Sequence, residues 1–73
     1  LMKIDLHGLQ HINVRNLVDS FIWNCMKSNV SSGDIITGNS DKMKEIVVSI
    51  IKEYNLDYKI GDFYNPGYIR VYF

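Results

Sequence analysis

The stretch Ile4-Asp5-Leu6-His7-Gly8-Leu9 decides how the rest of the chain is read. Alternation along it sends Ile4 and Leu6 to one face and Lys3, Asp5 and His7 to the other, as in a short strand with one buried side. Gly8 then lets the backbone turn, or lets a ligand approach closely. A carboxylate and an imidazole are thereby held side by side at a strand's carboxyl end, where ligands gather in sheets with parallel strands. These side chains suit proton transfer near neutral pH, or the holding of a metal ion or a phosphate. An Asp and a His on a solvated edge would show the same pattern, so the downstream residues decide between the two.

Downstream, Val14, Leu17, Val18, Phe21, Ile22 and Cys25 recur at helical spacing and predict a first helix with one apolar stripe, capped by Asn13. Ser28 to Gly33 reads as a loop, Asp34-Ile35-Ile36-Thr37 as a short strand and Gly38-Asn39-Ser40 as a turn. Met43, Ile46, Val47, Ile50, Ile51 and Tyr54 repeat the helical spacing, with Ser40 or Asp41 as cap and Asn55 as breaker. Leu56, Tyr58 and Ile60 alternate as a third strand. After Pro66-Gly67 a fourth strand sets Ile69, Val71 and Phe73 on one face and Tyr68, Arg70 and Tyr72 on the other. Strand–helix–strand units favour parallel neighbours with right-handed crossovers, and the short last connection favours an antiparallel pair. The expected fold is α/β, ordered β-α-β-α-β-β, with two helices on one face of a mixed four-stranded sheet. Residues 1–73 are expected to form a single stand-alone domain.

Composition narrows the function classes. The 73 residues are 47% hydrophobic and 22% charged, an ordinary globular balance. The single cysteine, Cys25, excludes an internal disulfide framework and fits a reducing compartment. No apolar run approaches the length of a membrane span, so no membrane partner is expected and the reading is cytoplasmic. The many Ile, Asn, Lys and Tyr residues suit an A·T-rich genome, that of a bacterium or of a virus in its host cell. Eight basic and eight acidic residues give zero net charge. That excludes a strong non-specific grip on a nucleic-acid backbone but leaves room for a small local site. Nothing in the sequence specifies an oligomer, and a monomer is expected.

Thr37-Gly38-Asn39-Ser40 stands where the second strand hands over to the second helix. In a parallel pair this turn lies beside His7-Gly8, because both follow a strand's carboxyl end. Backbone N–H groups at a helix start favour an anion, and a glycine permits close approach. Lys42 and Lys44 follow at once. An ordinary capped helix start explains the same residues when they are taken alone. His11 reads as an exposed turn residue, and Trp23 falls opposite the apolar stripe, as a surface anchor or against a loop. Tyr68, Arg70 and Tyr72 would stack bases around a guanidinium if their face is open, or simply cover the less buried side of a strand.

Together the two motifs resemble the Smr (small MutS-related) domain family. That family carries a Leu-Asp-x-His-Gly segment at its first strand and a His- or Thr-Gly-x-Gly segment after its second. Asp5-Leu6-His7-Gly8, with Ile4 in the leading aliphatic position, is similar to the first, and Thr37-Gly38 begins the second. Met43-Lys44-Glu45-Ile46-Val47 resembles the helix that comes next in the family, and Gly67 to Phe73 the closing glycine and hydrophobic strand. The resemblance implies a two-layer α/β sandwich, similar to the C-terminal domain of bacterial translation initiation factor three. It implies DNA nicking or RNA endonuclease activity, with RNA or DNA as partner and some members acting on ribosome-bound message. It makes Asp5 and His7 the catalytic pair, and Gly8, Thr37, Gly38, Ser40, Lys42, Lys44 and Arg70 the candidate substrate-binding residues. Asp5 would orient His7, act as a base, or recruit Mg²⁺ or Mn²⁺, with Asp34 and Asp41 as the only further acids in view. One departure stands out: Ser40 occupies the second glycine of the usual motif, in a loop one residue shorter. A backbone that hugs a phosphate tolerates a side chain poorly there. This departure keeps a non-catalytic RNA-, DNA- or ribosome-binding module, or a small protein-interaction adaptor, as alternatives.

Overall fold

A computed structural model of the chain describes residues 2–73. Strands β1 (Met2–Asp5) and β2 (Ser32–Ile36) flank helix α1 (Val14–Lys27), which a single 3₁₀ turn (His11–Asn13) introduces. Helix α2 (Asp41–Glu53) follows, and strands β3 (Asp57–Ile60) and β4 (Tyr68–Tyr72) close the chain. The sheet order is β1-β2-β4-β3. β1 and β2 are parallel, and β4 runs antiparallel to both of its neighbours, β2 and β3. This is the expected mixed sheet with both helices on one face. The late hairpin inserts β4 in the middle, because that strand alone among the last two is apolar enough on its inner side to be buried there: Ile69 and Val71 are fully buried, whereas Ile60 of β3 stays exposed.

The apolar stripes meet the inner face of the sheet in one core. Val14, Val18, Ile22 and Cys25 of α1 and Val47, Ile50 and Ile51 of α2 pack on Leu6, Ile35, Ile69 and Val71. Leu17 departs from the expected stripe and is 37% exposed, since it lies at the stripe's margin. Burial pushes the Cys25 thiol up from its ordinary value, so it acts as a small core hydrophobe.

Both helices end in the same way. Asn29 (φ 56°) and Asn55 (φ 57°) take the left-handed conformation just past α1 and α2. The N–H of Asn29 donates to Met26 O and that of Val30 to Cys25 O; Asn55 and Leu56 repeat the pattern on Lys52 O and Ile51 O. These paired bonds are Schellman motifs, with an asparagine where glycine is commoner. At the other ends the helices differ. Ser40 Oγ accepts from Met43 N at 3.1 Å and caps α2. Asn13 makes no side-chain cap, contrary to the sequence expectation, because the preceding 3₁₀ turn feeds the chain into α1 already helical.

Gly33 is also relocated. It lies inside β2 rather than ending a loop, and it is buried. A Cβ built there would stand 2.9 Å from both Cys25 Sγ and Phe21 Cζ, so only a glycine lets α1 cross β2 this closely.

The register brings three connections to one edge. β1, β2 and β3 all run in the same sense, and β4 begins where they end, since Asp5 pairs with Ile36, Ile36 with Tyr68 and Ile60 with Ile69. The turn after β1, the turn after β2 and the β3–β4 loop therefore share that edge, and the loops after both helices lie at the opposite end.

Gly33→Ala should lower stability by about 1–3 kcal/mol through overpacking, read as a lower urea midpoint at unchanged slope.

Candidate functional site

The site is built from two turns. After β1 the chain makes a β-turn closed by Leu9 N donating to Leu6 O at 3.1 Å, with Gly8 at φ +79° in its third position. A type II turn requires a positive φ there, which is why a glycine follows the histidine. Asp5 Oδ1 accepts from the backbone N–H of His7 at 3.0 Å, which fixes the entry to the turn and leaves Oδ2 uncommitted. Both side chains are exposed.

The second turn meets the first through Gly38 (φ +67°). A Cβ on Gly38 would lie 3.4 Å from His7 Cδ2 and 3.8 Å from its Cβ, so the imidazole packs directly on the glycine backbone. The sheet bonding runs one residue past β1, with Leu6 N donating to Ile36 O at 2.8 Å. Asp5, His7, Gly8, Gly38 and Ser40 thus gather at one edge, as the two motifs suggested.

Thr37 plays a different part from the expected one. It is 2% exposed, and its hydroxyl is turned to the carbonyls of Gly38 (2.9 Å) and Gly67 (3.3 Å). The N–H groups of Thr37 and Gly38 both donate to Gly67 O as well, at 2.9 and 3.0 Å. Thr37 therefore positions the turn and joins it to the start of β4. Ser40 is the α2 cap, and Asp41 adds an acid in the first helical turn that complements the helix dipole from within the chain. Lys42 is exposed and Lys44 half-buried beside them, and among the described residues neither joins an ion pair.

Arg70 is not brought to the Asp5–His7 pair. It sits on the uncovered face of the sheet, two residues along β4 from the edge, about 7 Å at strand spacing. Its Nε and Nη2 donate to the two Asp34 oxygens at 2.7 and 2.9 Å, a fork that raises the guanidinium further above its ordinary pKa. Its guanidinium also lies 5.7 Å from the centre of the Tyr68 ring. Register sets Lys3, Asp34, Arg70 and Lys59 in one row across the four strands. Asp34 is spoken for by this pairing, so it adds no acid to the edge.

Sequence reasoning missed the third member of the edge, the β3–β4 loop. Asp62 organises it: its Oδ1 accepts from Tyr64 N (2.9 Å) and Asn65 N (2.7 Å), and its Oδ2 from the Tyr68 hydroxyl (3.2 Å). Asn65 Oδ1 accepts from Gly67 N at 3.1 Å. Phe63 and Tyr64, each 92% exposed, stand out from this scaffold. Their signal in the sequence was two adjacent aromatics outside any strand periodicity.

Asp5, His7 and Gly8 are exposed at this edge. Depressions of about 260 Å³ (His11, Arg15, Glu45, Ile46, Ser49, Ile50) and about 420 Å³ (Met26, Asn29, Val30, Ser31, Leu56, Phe73) are lined by none of the site residues. A small molecule is ordinarily enclosed, whereas an exposed edge suits a polymer.

A family model for the Smr domain matches residues 4–63. The chain belongs to the Smr domain family. Nucleic-acid binding and nicking are the business of this family. The crystal structure of the Smr domain of Thermus thermophilus MutS2 superposes with a TM-score of 0.89 at 13% identity, covering 99% of this chain and 96% of that one. That likeness shows the fold, including the final strand that lies beyond the family match. No curated protein matches the chain. Among the described residues no helix of this Smr domain is long and apolar enough to cross a membrane.

The backbone N–H of Asn65, with that of Tyr64 and the Tyr68 hydroxyl, holds the Asp62 carboxyl below its ordinary value of 3.8. A depressed folded value means that Asp62 supports the loop above the unfolded value and loses that support as pH falls through the folded one. An NMR titration should give Asp62 a midpoint below 3.8, with the Tyr64 and Asn65 amides moving at the same pH.

Proposed function

We propose that this Smr domain cleaves or nicks the phosphodiester backbone of RNA or DNA, with Asp5 and His7 as its catalytic groups. The observation that carries the reading is the exposed His7 imidazole packed on Gly38, two residues from an exposed Asp5 carboxylate that accepts the His7 backbone N–H. Breaking a phosphodiester needs a group that moves a proton at neutral pH, and His7 is the side chain at this edge suited to it. Asp5 has Oδ2 free to take a proton from an attacking water or to hold the imidazole in a productive orientation. Gly8 has open space where a side chain would stand, so a phosphate can come close to the backbone there, with Lys42 and Lys44 at the start of α2 to meet its charge; the same space at Gly38 is taken by the His7 ring. Ser40 caps the helix in this scheme, and Thr37 holds the turn from below.

Among the described residues no group of three or more His, Cys, Asp or Glu side chains gathers to hold a metal ion. One carboxylate with waters and substrate phosphates is nonetheless a common way of holding Mg²⁺, so Asp5 fits an ion shared with the substrate, Mg²⁺ or Mn²⁺. Such an ion, when bound, would stabilise negative charge on the phosphoryl oxygens.

The second reading is a module that binds nucleic acid without cutting it. It is favoured by the bond from His7 N–H to Asp5 Oδ1, which gives Asp5 a structural task. The replacement Asp5→Asn separates the two, because an amide oxygen still accepts that bond while the carboxylate charge is gone. On labelled single-stranded RNA and supercoiled DNA, with Mg²⁺ or Mn²⁺ present or withheld, Asp5→Asn should fold normally and cut at least about 100-fold more slowly. Equal cutting by wild type and Asp5→Asn would contradict the catalytic assignment, and a folded wild type that binds but never cuts would favour the second reading.

A further inference from the structure

Phe63 and Tyr64 leave almost their whole surface to water, each at 92% exposure, while the backbone that carries them is tightly held. Asp62 N donates to Asn65 O at 3.1 Å, and the Asp62 and Asn65 side chains accept three backbone N–H groups within the same loop. At its entrance Gly61 (φ +49°) is pressed on the following segment: an added Cβ would stand 2.6 Å from Pro66 Cα and 2.7 Å from Asn65 O. The rings lie edge to face, with centroids 5.3 Å apart and planes at 84°. That arrangement occupies one face of one ring and leaves the remaining faces open. Two large apolar side chains presented to solvent from a braced loop are unfavourable for the isolated domain, which directs attention to a ligand that covers them.

The place of the loop says which ligand. It leaves the sheet at the same edge as Asp5, His7 and Gly38, and its last residue, Gly67, is bonded to Thr37 and Gly38. From β1 to β3 is three strand spacings, about 14 Å, which a few nucleotides of one strand can span. Charge complements the argument. The chain is neutral, Arg15 and Arg70 are committed to Glu53 and Asp34, and an aspartate sits at the base of the loop. Neutralised phosphates can therefore supply only part of any affinity, and stacking on aromatic faces is the available remainder. Bases inside a duplex already have both faces covered. We propose that Phe63 and Tyr64 are a base-stacking platform that takes unpaired nucleotides and leads their strand to the Asp5–His7 edge, so that the substrate class is single-stranded or locally unpaired nucleic acid. This rests on the nucleic-acid reading given above.

The test is binding of a fluorescent 12-nucleotide single strand and of the same sequence as a duplex, by anisotropy at two salt concentrations. A second single strand carries 2-aminopurine, whose emission is quenched by stacking. The wild type should prefer the single strand and quench the probe. Phe63→Ala/Tyr64→Ala should fold as the wild type does, bind the single strand at least tenfold more weakly with an unchanged salt slope, and lose the quenching. Phe63→Trp/Tyr64→Trp should retain both. Phe63→Leu/Tyr64→Leu keeps apolar surface without an aromatic face and should behave like the alanine pair; binding kept by the leucine pair would overturn stacking in favour of plain apolar contact. Undiminished binding by the alanine pair, a wild-type preference for duplex, or unfolding of the alanine pair would also overturn the platform while leaving the cleavage proposal standing. A wild type that binds neither strand nor duplex at low salt would overturn the nucleic-acid reading itself, and the platform with it.

Discussion

The carbonyl oxygen of Gly67 accepts hydrogen bonds from Thr37 N, Gly38 N and the Thr37 hydroxyl, and the arrangement of the whole edge depends on that junction. It fixes the start of β4 against the end of β2, so the turn carrying Gly38 cannot move away from the hairpin. Because the His7 ring rests on Gly38, the same junction holds the first motif in place. Burial makes the bond count. A carbonyl left unsatisfied in such a setting costs about 1–3 kcal/mol, so the turn has little alternative but to stay. Gly67 O thus joins two connections distant in sequence, and the third is held to them by Leu6 N–H on Ile36 O and by the His7 ring on Gly38.

That surface is electrostatically sparse. Of the chain's cations, Arg15 and Arg70 are already paired with carboxylates, and Lys42, Lys44 and Lys59, which acts on Asp62, stand near the edge without an ion pair among the described residues. Few phosphates can be neutralised there, so a shallow salt dependence and modest affinity are expected of the domain on its own. Discrimination then falls to geometry. Gly8 leaves open space at the first turn, the His7 ring rests on Gly38 at the second, and the braced β3–β4 loop holds aromatic faces to one side. On the uncovered sheet the Arg70–Asp34 fork ties β4 to β2 and lies off the edge.

Much of this was legible in the sequence. The two helical stripes and the alternation in β4 report directly on which side faces the core, and a parallel β1–β2 pair forces His7-Gly8 and Thr37-Gly38 together. What escaped depends on contacts between distant residues. Gly33 looked like a loop terminus because glycine's local meaning is a turn, whereas its reason here is the approach of Phe21 and Cys25 from α1. Asn13 has the chemistry of a cap, but the 3₁₀ turn before it leaves no helix start to cap. The pairing of Arg70 with Asp34, 36 residues away in sequence, depends on the strand register and has no local signal. Thr37 seemed accessible because a motif shows identity and not burial. Phe63 and Tyr64 carried no periodicity, and only the register shows that their loop joins the site.

The most direct test of one edge built from three connections is a map of backbone amide shifts on adding a short single-stranded oligonucleotide to the ¹⁵N-labelled domain. The account predicts that changes gather in residues 5–9, 37–42 and 61–67, and that the loops after the helices, residues 28–31 and 54–56, stay still. Changes centred on those far loops, or spread along the outward faces of α1 and α2, would contradict it.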